Sequence, residues 1–469
     1  MMNEEEFSNW YNDIIERANL SDKRYPIKGM NVWTPYGWKV MTNIDRHMRN
    51  EMERTKHDEV CFPLLIPEDQ FAKEAEHIKG FDEQVYWVTH AGKNQLDVRL
   101  LLRPTSETAM YPMFSLWVRS HADLPLKIFQ IVNTFRYETK QTRSFVRVRE
   151  IHFFEAHTCH ADFEDAERQI KEDVEVMDRL SKKLCLPYLL SKRPNWDKFA
   201  GAVYTLGVDI FMPTGKALQI ASIHQYKENF SKAYNIKYED ENGNHKDVHQ
   251  TTYGMSERVL GAVIGVHGDK KGLIMPPSIA PIQIVIIPVL AKGKNEEILK
   301  KNRELKEELN NNGFRAFLDE RDIRPGSKYF DWEIKGVPIR IELGPRDIEN
   351  KVAIVVRRDT GKKIEIKREK LIDVLKKIMD DISTELYKKA EAQLKNNILS
   401  CKTIDEIKSA ESFVKIDWCG NDDCGQRICE ESGFTMLGTP VNSEKLDKQA
   451  KCVLCNKEAA TKAYMARTY

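Results

Sequence analysis

The chain is defined first by what it lacks. Its 469 residues contain no phosphate loop of the GxxxxGK[ST] kind, and no GxGxxG opens a helix after a strand. Use of a nucleotide would therefore have to rest on side chains rather than on a glycine-rich cradle. There is almost no net charge, +1 with 31% charged residues, so no global positive field draws in polyanions. Any nucleic acid must be met by local basic patches. Long apolar runs are absent. The longest, Ile282 to Leu290 (IQIVIIPVL), is too short to span a bilayer and reads as a buried strand, so no membrane association is expected. Met1 to Leu20 lacks the basic-then-apolar order of a signal peptide, and a cytoplasmic location is the expectation. Internal repeats and low-complexity segments are missing too.

What is present is organised in three parts. The length exceeds what one hydrophobic core supports. Residues 1–280 mix helices and strands without the regular alternation of a doubly wound sheet. Trp38 to Arg54 has a helical pattern, followed by an apolar strand from Glu59 to Ile66. Phe129 to Glu138 and Val146 to Phe154 read as two strands joined by a polar loop. Asp162 to Leu184 is an amphipathic helix, and Val259 to Val266 fits a helix or a strand by pattern alone. Pro276, Pro277 and Pro281 then punctuate the chain. Residues 281–385 alternate strand (282–290), helix (295–311), strands (314–318, 338–343, 352–357) and long helix (368–387), a small α/β domain. Residues 386–469 form a third part.

That third part carries Cys419 and Cys424, then Cys452 and Cys455. Two close pairs of thiols in an intracellular chain suit a tetrahedral, structural Zn²⁺ better than disulfides. The other five cysteines read as core or surface.

Arginines are the phosphate candidates. On an extended strand every second residue shares a face, which pairs Arg136 with Glu138 and Arg147 with Arg149. A guanidinium fork is planar, always charged and able to grip a phosphate bidentately. Gly254-Met255-Ser256-Glu257-Arg258 places another arginine at the start of an apolar element, with Gln219 to His224 between the two sites. Each feature alone reads as an ordinary salt-bridged surface or helix start. Likewise Thr105 with Glu107 alone reads as a helix cap.

Together, these segments resemble class II aminoacyl-tRNA synthetases. The 135–150 hairpin is similar to motif 2, Gly254 to Arg258 to motif 3, and the helix from Trp38 with the strand carrying Pro63 to motif 1. Arg103-Pro104-Thr105-Ser106-Glu107-Thr108, Phe153 to Thr158, Gln219 to His224, His267-Gly268-Asp269 and Arg324-Pro325-Gly326 resemble the prolyl-tRNA synthetase family in particular. His77-Ile78-Lys79-Gly80 is superficially close to the HIGH signature of class I synthetases, but lacks a Rossmann strand and a KMSKS partner.

The resemblance implies an α/β and α+β multidomain chain: an antiparallel-sheet catalytic domain (1–280), an α/β anticodon-binding domain (281–385) and a small C-terminal zinc-binding α+β domain (386–469). It implies ligation of L-proline to tRNA(Pro) through prolyl-adenylate, with ATP as substrate, Mg²⁺, structural Zn²⁺ and a homodimer. Carried over position by position, Thr105, Glu107, Arg136, Phe153, Glu155, His157 and His224 hold proline, with Phe199 added to the aromatic wall. ATP falls to Arg136, Glu138, Arg147, Val148, Gln219, Ser222, Ser256 and Arg258, of which Arg136 and Arg258 are the catalytic pair, and Zn²⁺ to Cys419, Cys424, Cys452 and Cys455. Asp319, Arg321, Asp322, Arg324, Lys328, Trp332 and Glu333 form a cluster able to meet single-stranded bases. Only about 95 residues separate His157 from Gly254, which leaves no room for the editing insertion of bacterial-type relatives. The ending, Ala466 to Tyr469, is similar to that of the archaeal and eukaryotic-like subtype. Several positions depart from the family pattern: Ile220, Ala221 and Ser222 after Gln219, Lys227 where glycine is usual, Ser144 for proline and Ile151 for phenylalanine. Other activities on this scaffold are a different small amino acid as substrate, or a tRNA-binding protein without catalysis. Arg136, Glu138 and Arg258 argue against the latter, and Thr105, Glu107 and His157 favour proline.

Overall fold

The computed structural model describes residues 2–75, 83–291, 293, 295–442, 444–447 and 449–469. The segment His77 to Gly80 lies outside the described residues. An eleven-stranded sheet runs through the molecule. Its centre is antiparallel, in the order Leu126–Phe135, Glu150–His160, His249–Ser256, Ala217–Lys227, Tyr204–Phe211 and Leu189–Lys192. The helices Pro35–Arg54, Phe163–Leu184 and Arg258–His267 contribute to the core on one face, against Phe154, Ala156, Ile223, Tyr253 and Met255. Strand periodicity sends the intervening residues to the other face, where the site lies.

Helix boundaries follow local chemistry. Phe163–Leu184 starts at Asp162, whose carboxylate accepts from the Asp165 N–H, and stops at Cys185 in the left-handed region. The Val259 to Val266 segment is helical, within Arg258–His267. The stretch from Glu59 to Ile66 is not one strand: Asp58–Glu59 and Leu65–Pro67 are separate, and Pro63 lies in the loop between them. Arg103 holds that loop by donating to the carbonyls of Phe62 (2.8 Å) and Pro63 (3.4 Å). The motif 2 hairpin also differs from the expected limits. Its strands end at Phe135 and begin at Glu150, so Arg136, Glu138 and Arg147 sit on the connection, not on the ladder.

A second sheet of five strands, Ala316–Leu318, Ile284–Pro288, Ile339–Leu343, Val352–Arg357 and Lys363–Lys367, packs on Asn295–Asn311 and Leu371–Asn396. The latter helix is longer than its sequence pattern indicated and carries the chain through residue 385 without a break. Beyond it, Thr435–Pro440 pairs antiparallel with Leu189–Lys192, so the cysteine-bearing module extends the same large sheet. Gly438 makes this approach possible: its φ is +130°, and a Cβ there would come within 2.1 Å of the Lys192 carbonyl oxygen. Between His160 and His249 the chain forms the helices Phe163–Leu184 and Asn229–Tyr234, three strands of the large sheet and the small hairpin Lys237–Glu239/His245–Asp247. Among the described residues, no helix is long and apolar enough to cross a membrane.

Candidate active site and metal centre

Sheet register assembles the site. One row across five strands reads Gly207, Ser222, Gly254, Glu155 and Gln130, and the next reads Thr205, His224, Thr252, His157 and Ile128. Residues far apart in sequence thus become neighbours on one face. Gly254 keeps the floor clear, because a Cβ there would meet the Phe153 ring at 2.8 Å. Above these rows lies a cavity of 370 Å³.

One end of the cavity is acidic and aromatic. Glu107 opens the helix Glu107–Trp117, and Ser106 at its N-cap makes no side-chain capping bond. The Thr105 hydroxyl instead hydrogen-bonds the Glu107 carboxylate, whose other oxygen accepts from Tyr226 at 3.2 Å. The cap reading of this pair is thereby replaced by a pocket-facing carboxylate. Beside it, Glu155 accepts from Ser106, from Gln130 at 2.9 Å and from His157 at 3.2 Å. Burial pushes Glu155 up, but His157, Ser106 and Gln130 outweigh it, and its pKa lies below the ordinary carboxylate value. Burial opposes the charge on His157, yet Glu155 and then Glu107 overcome it and raise its pKa. The two face each other as a buried carboxylate–imidazole pair, and each shift favours the charged form. His224 behaves oppositely: burial and the charge of His157 bring it down to about 3, so it is neutral, held between Thr205 (2.9 Å) and Ser222 (3.0 Å). The Phe199 ring lies 4.8 Å from His224.

The other end is cationic. Arg136 donates to the Pro104 carbonyl at 3.0 Å, and burial lowers its pKa against the pull of Glu107 and Glu155. Arg147 pairs with Glu138 at 2.5 Å. Arg258 is aimed by the Val146 carbonyl at 2.7 Å and the Gln219 carbonyl at 3.4 Å. Burial first, then the neighbouring charges of Arg147 and Arg136, bring Arg258 down to about 10, so three guanidinium groups share this end of the cavity. Such a cluster is made for a polyanion.

Thr105, Glu107, Phe153, Glu155 and His224 all line the cavity, as do Arg136, Glu138, Arg147, Val148, Gln219, Ser222, Ser256 and Arg258. His157 does not. It is fully buried behind Glu155, bonded also to Tyr111 and Thr252 at 3.3 Å, and acts through the carboxylate it pairs with. Ile220, Ala221 and Ile151 border the same cavity. Lys227 adopts φ +56° at a bulge opposite Gln250, so the backbone turn that favours glycine is kept with a lysine in it.

Sequence reasoning missed Arg193, Asp197, Thr205 and Gln84, which also border the cavity. Arg193 is buried, paired with Asp209 at 2.8 Å and bonded to the Leu437 carbonyl of the C-terminal module. Gly207 makes room for it: a Cβ there would come within 2.2 Å of the Arg193 guanidinium.

The Sγ atoms of Cys419, Cys424, Cys452 and Cys455 lie within 4.8 Å of one another, and those of Cys424 and Cys452 are 3.6 Å apart. A tetrahedral Zn²⁺ with bonds near 2.3 Å places its sulfurs about 3.8 Å apart, so the four thiols fit such an ion. Burial raises the thiols of Cys419 and Cys424, whereas the N–H groups of Cys455, Leu454 and Cys419 outweigh burial at Cys452 and bring it down to about 7, so it is the geometry of the four sulfurs that suits a metal. The module packs on the catalytic part through Trp196 and Trp418, 6.0 Å apart and edge to face.

Comparison with known proteins agrees with this geometry. The tRNA synthetase class II core domain (G, H, P, S and T) matches residues 86–267, the anticodon binding domain residues 283–378, and the prolyl-tRNA synthetase C-terminal domain residues 402–469. A proline–tRNA ligase of Thermococcus kodakarensis is 57% identical, over 99% of this chain and 98% of its own. That of Methanobrevibacter smithii is 49% identical over 99% of this chain and all of its own. A solved structure of Giardia lamblia prolyl-tRNA synthetase in complex with prolyl-adenylate superposes with a TM-score of 0.95 at 37% identity, covering 99% and 98% of the two chains. The chain belongs to the prolyl-tRNA synthetase family.

Proposed function

We propose that the chain is a proline–tRNA ligase: it activates L-proline with ATP to prolyl-adenylate and pyrophosphate, then transfers proline to the 3′ end of tRNA(Pro). The observation that carries this reading is one cavity with a carboxylate-bearing end and a three-arginine end. The secondary ammonium of proline is met by Glu107, with Thr105 and Tyr226 orienting that carboxylate. Its ring lies against Phe153, Phe199 and neutral His224. Keeping His224 uncharged matters, since a second cation there would repel the ammonium. The His157 charge is spent on Glu155.

Arg136 feels Glu107 and Glu155 on one side and Arg258 on the other, and it holds the reacting groups together, the proline carboxylate and the α-phosphate. A carboxylate is already ionised near pH 7, so the attack needs no general base. The α-phosphorus is displaced in line, and pyrophosphate leaves toward Arg258. The arginines supply fixed positive charge where the phosphoryl oxygens gain negative charge, and the sheet-mounted wall supplies alignment. Glu138, Arg147 and Val148 of motif 2, with Gln219, Ser222 and Ser256, hold the nucleotide. Mg²⁺ bound with ATP would supply neutralising charge at the phosphate oxygens. In the second step a ribose hydroxyl of tRNA attacks the prolyl carbonyl and AMP departs.

The four cysteines would hold a structural Zn²⁺ and, as four protein ligands, would leave no position open for chemistry. We assign a homodimer formed through the motif 1 region, where Trp38, Leu64 and Leu65 are exposed, and a cytoplasmic location. The test of the function is amino-acid-dependent exchange of pyrophosphate into ATP across all twenty amino acids. A proline-specific signal is expected. Exchange driven by a different amino acid, or by none, would remove the reading.

A further inference from the structure

Next to the cavity, and not part of it, stands an aromatic ring with nothing yet to do. Arg136 and Glu138 both line the cavity, whereas Tyr137 between them does not. The Glu138 N–H donates to the Arg136 carbonyl at 2.8 Å, a tight three-residue turn that sends the Tyr137 side chain outward. The residue is 43% exposed. Yet its ring is fixed. The Arg149 guanidinium lies over it, 4.1 Å from the centroid, and Tyr86 meets it edge-on at 5.6 Å and 76°. The Tyr137 N–H donates at 2.6 Å to the carbonyl of Gln84, itself a cavity residue. Arg149 is in turn clamped, donating from Nε to the Glu138 carbonyl at 3.0 Å. Gly29 leaves room for it, since a Cβ there would meet the Arg149 side chain at 2.9 Å.

We infer that Tyr137, backed by Arg149, is a preformed stacking platform for a base of the single-stranded 3′ end of tRNA, at the mouth of the cavity. The inference rests on the ligase reading, which requires that end to enter from solvent and present its ribose to the adenylate. Single-stranded nucleotides are held by stacking on aromatic faces with cations nearby for their phosphates. Tyr137 is part-exposed to solvent, and Arg149 with exposed Lys140 supplies the positive charge. Because the ring is already held by Arg149 and, edge-on, by Tyr86, binding does not have to order it. The adenine of ATP is not the occupant, since the ring lies outside the cavity that holds the nucleotide-binding arginines.

The test uses the full chain carrying Tyr137→Ala or Tyr137→Trp, in pyrophosphate exchange and in charging of tRNA(Pro). For Tyr137→Ala, exchange stays within about twofold of the parent, while kcat/KM for tRNA falls roughly tenfold, chiefly through KM, in line with the usual effect of losing one base stack. Tyr137→Trp restores it. With tRNA trimmed of its single-stranded 3′ end, parent and Tyr137→Ala bind alike. Unchanged charging by Tyr137→Ala, a parallel fall in exchange, or a binding defect that persists on trimmed tRNA would each overturn the platform. Failure of the parent itself to exchange with proline would instead strike the ligase reading.

Discussion

Arg147 donates from Nη2 to the main-chain oxygen of Tyr469, 2.9 Å away in space and 322 residues away in sequence. The last residue of the sequence therefore touches the motif 2 arginine that also pairs with Glu138. Its ring is pinned by a hydroxyl contact to Thr214 at 2.7 Å and by the cations of Arg143 and Lys216, 5.6 and 5.7 Å from the centroid.

Removing that ring should loosen Arg147 without touching the proline end. Tyr469→Ala leaves the main-chain oxygen in place but unpins it, and is expected to raise the KM for ATP by up to about tenfold, since a hydrogen bond to a charged group contributes about 1.5–3 kcal/mol only while it is held. The KM for proline stays near its parent value. Exchange kinetics with each substrate varied in turn decide it, and a selective proline defect would count against this placement.

The Glu155–His157 pair should give stability a defined pH window. His157 is raised, so its contribution is complete below the ordinary imidazole value and is lost as pH climbs through the folded value. Glu155 is depressed, so its contribution is complete above the ordinary carboxylate value and is lost as pH falls through the folded value. The pair thus helps most between roughly pH 4.5 and 6.5. Thermal unfolding of the parent and of the Glu155→Gln/His157→Gln double variant, followed from pH 4 to 9, should differ most in that window. A difference independent of pH would show the pair to be uncharged. Removing His157 alone should be worse than removing both, because it strands a buried carboxylate at a cost of about 3–5 kcal/mol.

Metal analysis should find one Zn²⁺ per chain, and Cys424→Ser should lose it. Chelation is expected to lower the unfolding temperature by several degrees. It should also raise the KM for proline, since Leu437 of the same module holds Arg193 at the cavity wall. A chelated protein with unaltered proline kinetics would separate the two.

Lys227 supplies a backbone test. A non-glycine residue in the left-handed region costs about 1–2 kcal/mol, and glycine gives back about half of that in chain entropy. Lys227→Gly should therefore stabilise the fold by about 0.5–1 kcal/mol in denaturant melts and leave exchange unchanged. Destabilisation would mean that the exposed lysine side chain makes a contact worth more than the strain.

How much of this was legible beforehand depended on the range of the interaction. Asn295–Asn311 and Val352–Arg357 have the limits that their periodicity indicates, since apolar spacing within one element suffices. The Leu371–Asn396 helix outruns its pattern because its continuation past Tyr387 is mostly polar, while Leu394 packs with Leu189, Phe211 and Leu437 from distant parts of the chain. Arg136 and Glu138 were assigned one face of a strand, and both do reach the cavity, but through a turn that periodicity cannot distinguish from a strand. His157 was placed in the pocket wall, and only the register of three strands reveals that it stands behind Glu155. Arg193 was invisible because its partners, Asp209 and Leu437, are 16 and 244 residues away and Ser191 to Pro194 has no pattern of its own.

The pairing of Thr435–Pro440 with Leu189–Lys192 has a consequence for solubility. Without the C-terminal module, Leu189–Lys192 would be an edge strand with unpaired N–H and C=O groups, next to the apolar side chains of Leu189, Phe211 and Ala217. Such an edge is a template for pairing with another chain. Phe413, Leu437 and Tyr464 cover those side chains, while Gly438 lets the covering strand come close enough to bond. The cysteine module thus acts as a molecular hem: it closes one free margin of the sheet, and a version of the enzyme trimmed of it would be prone to stick to itself before it lost its catalytic residues.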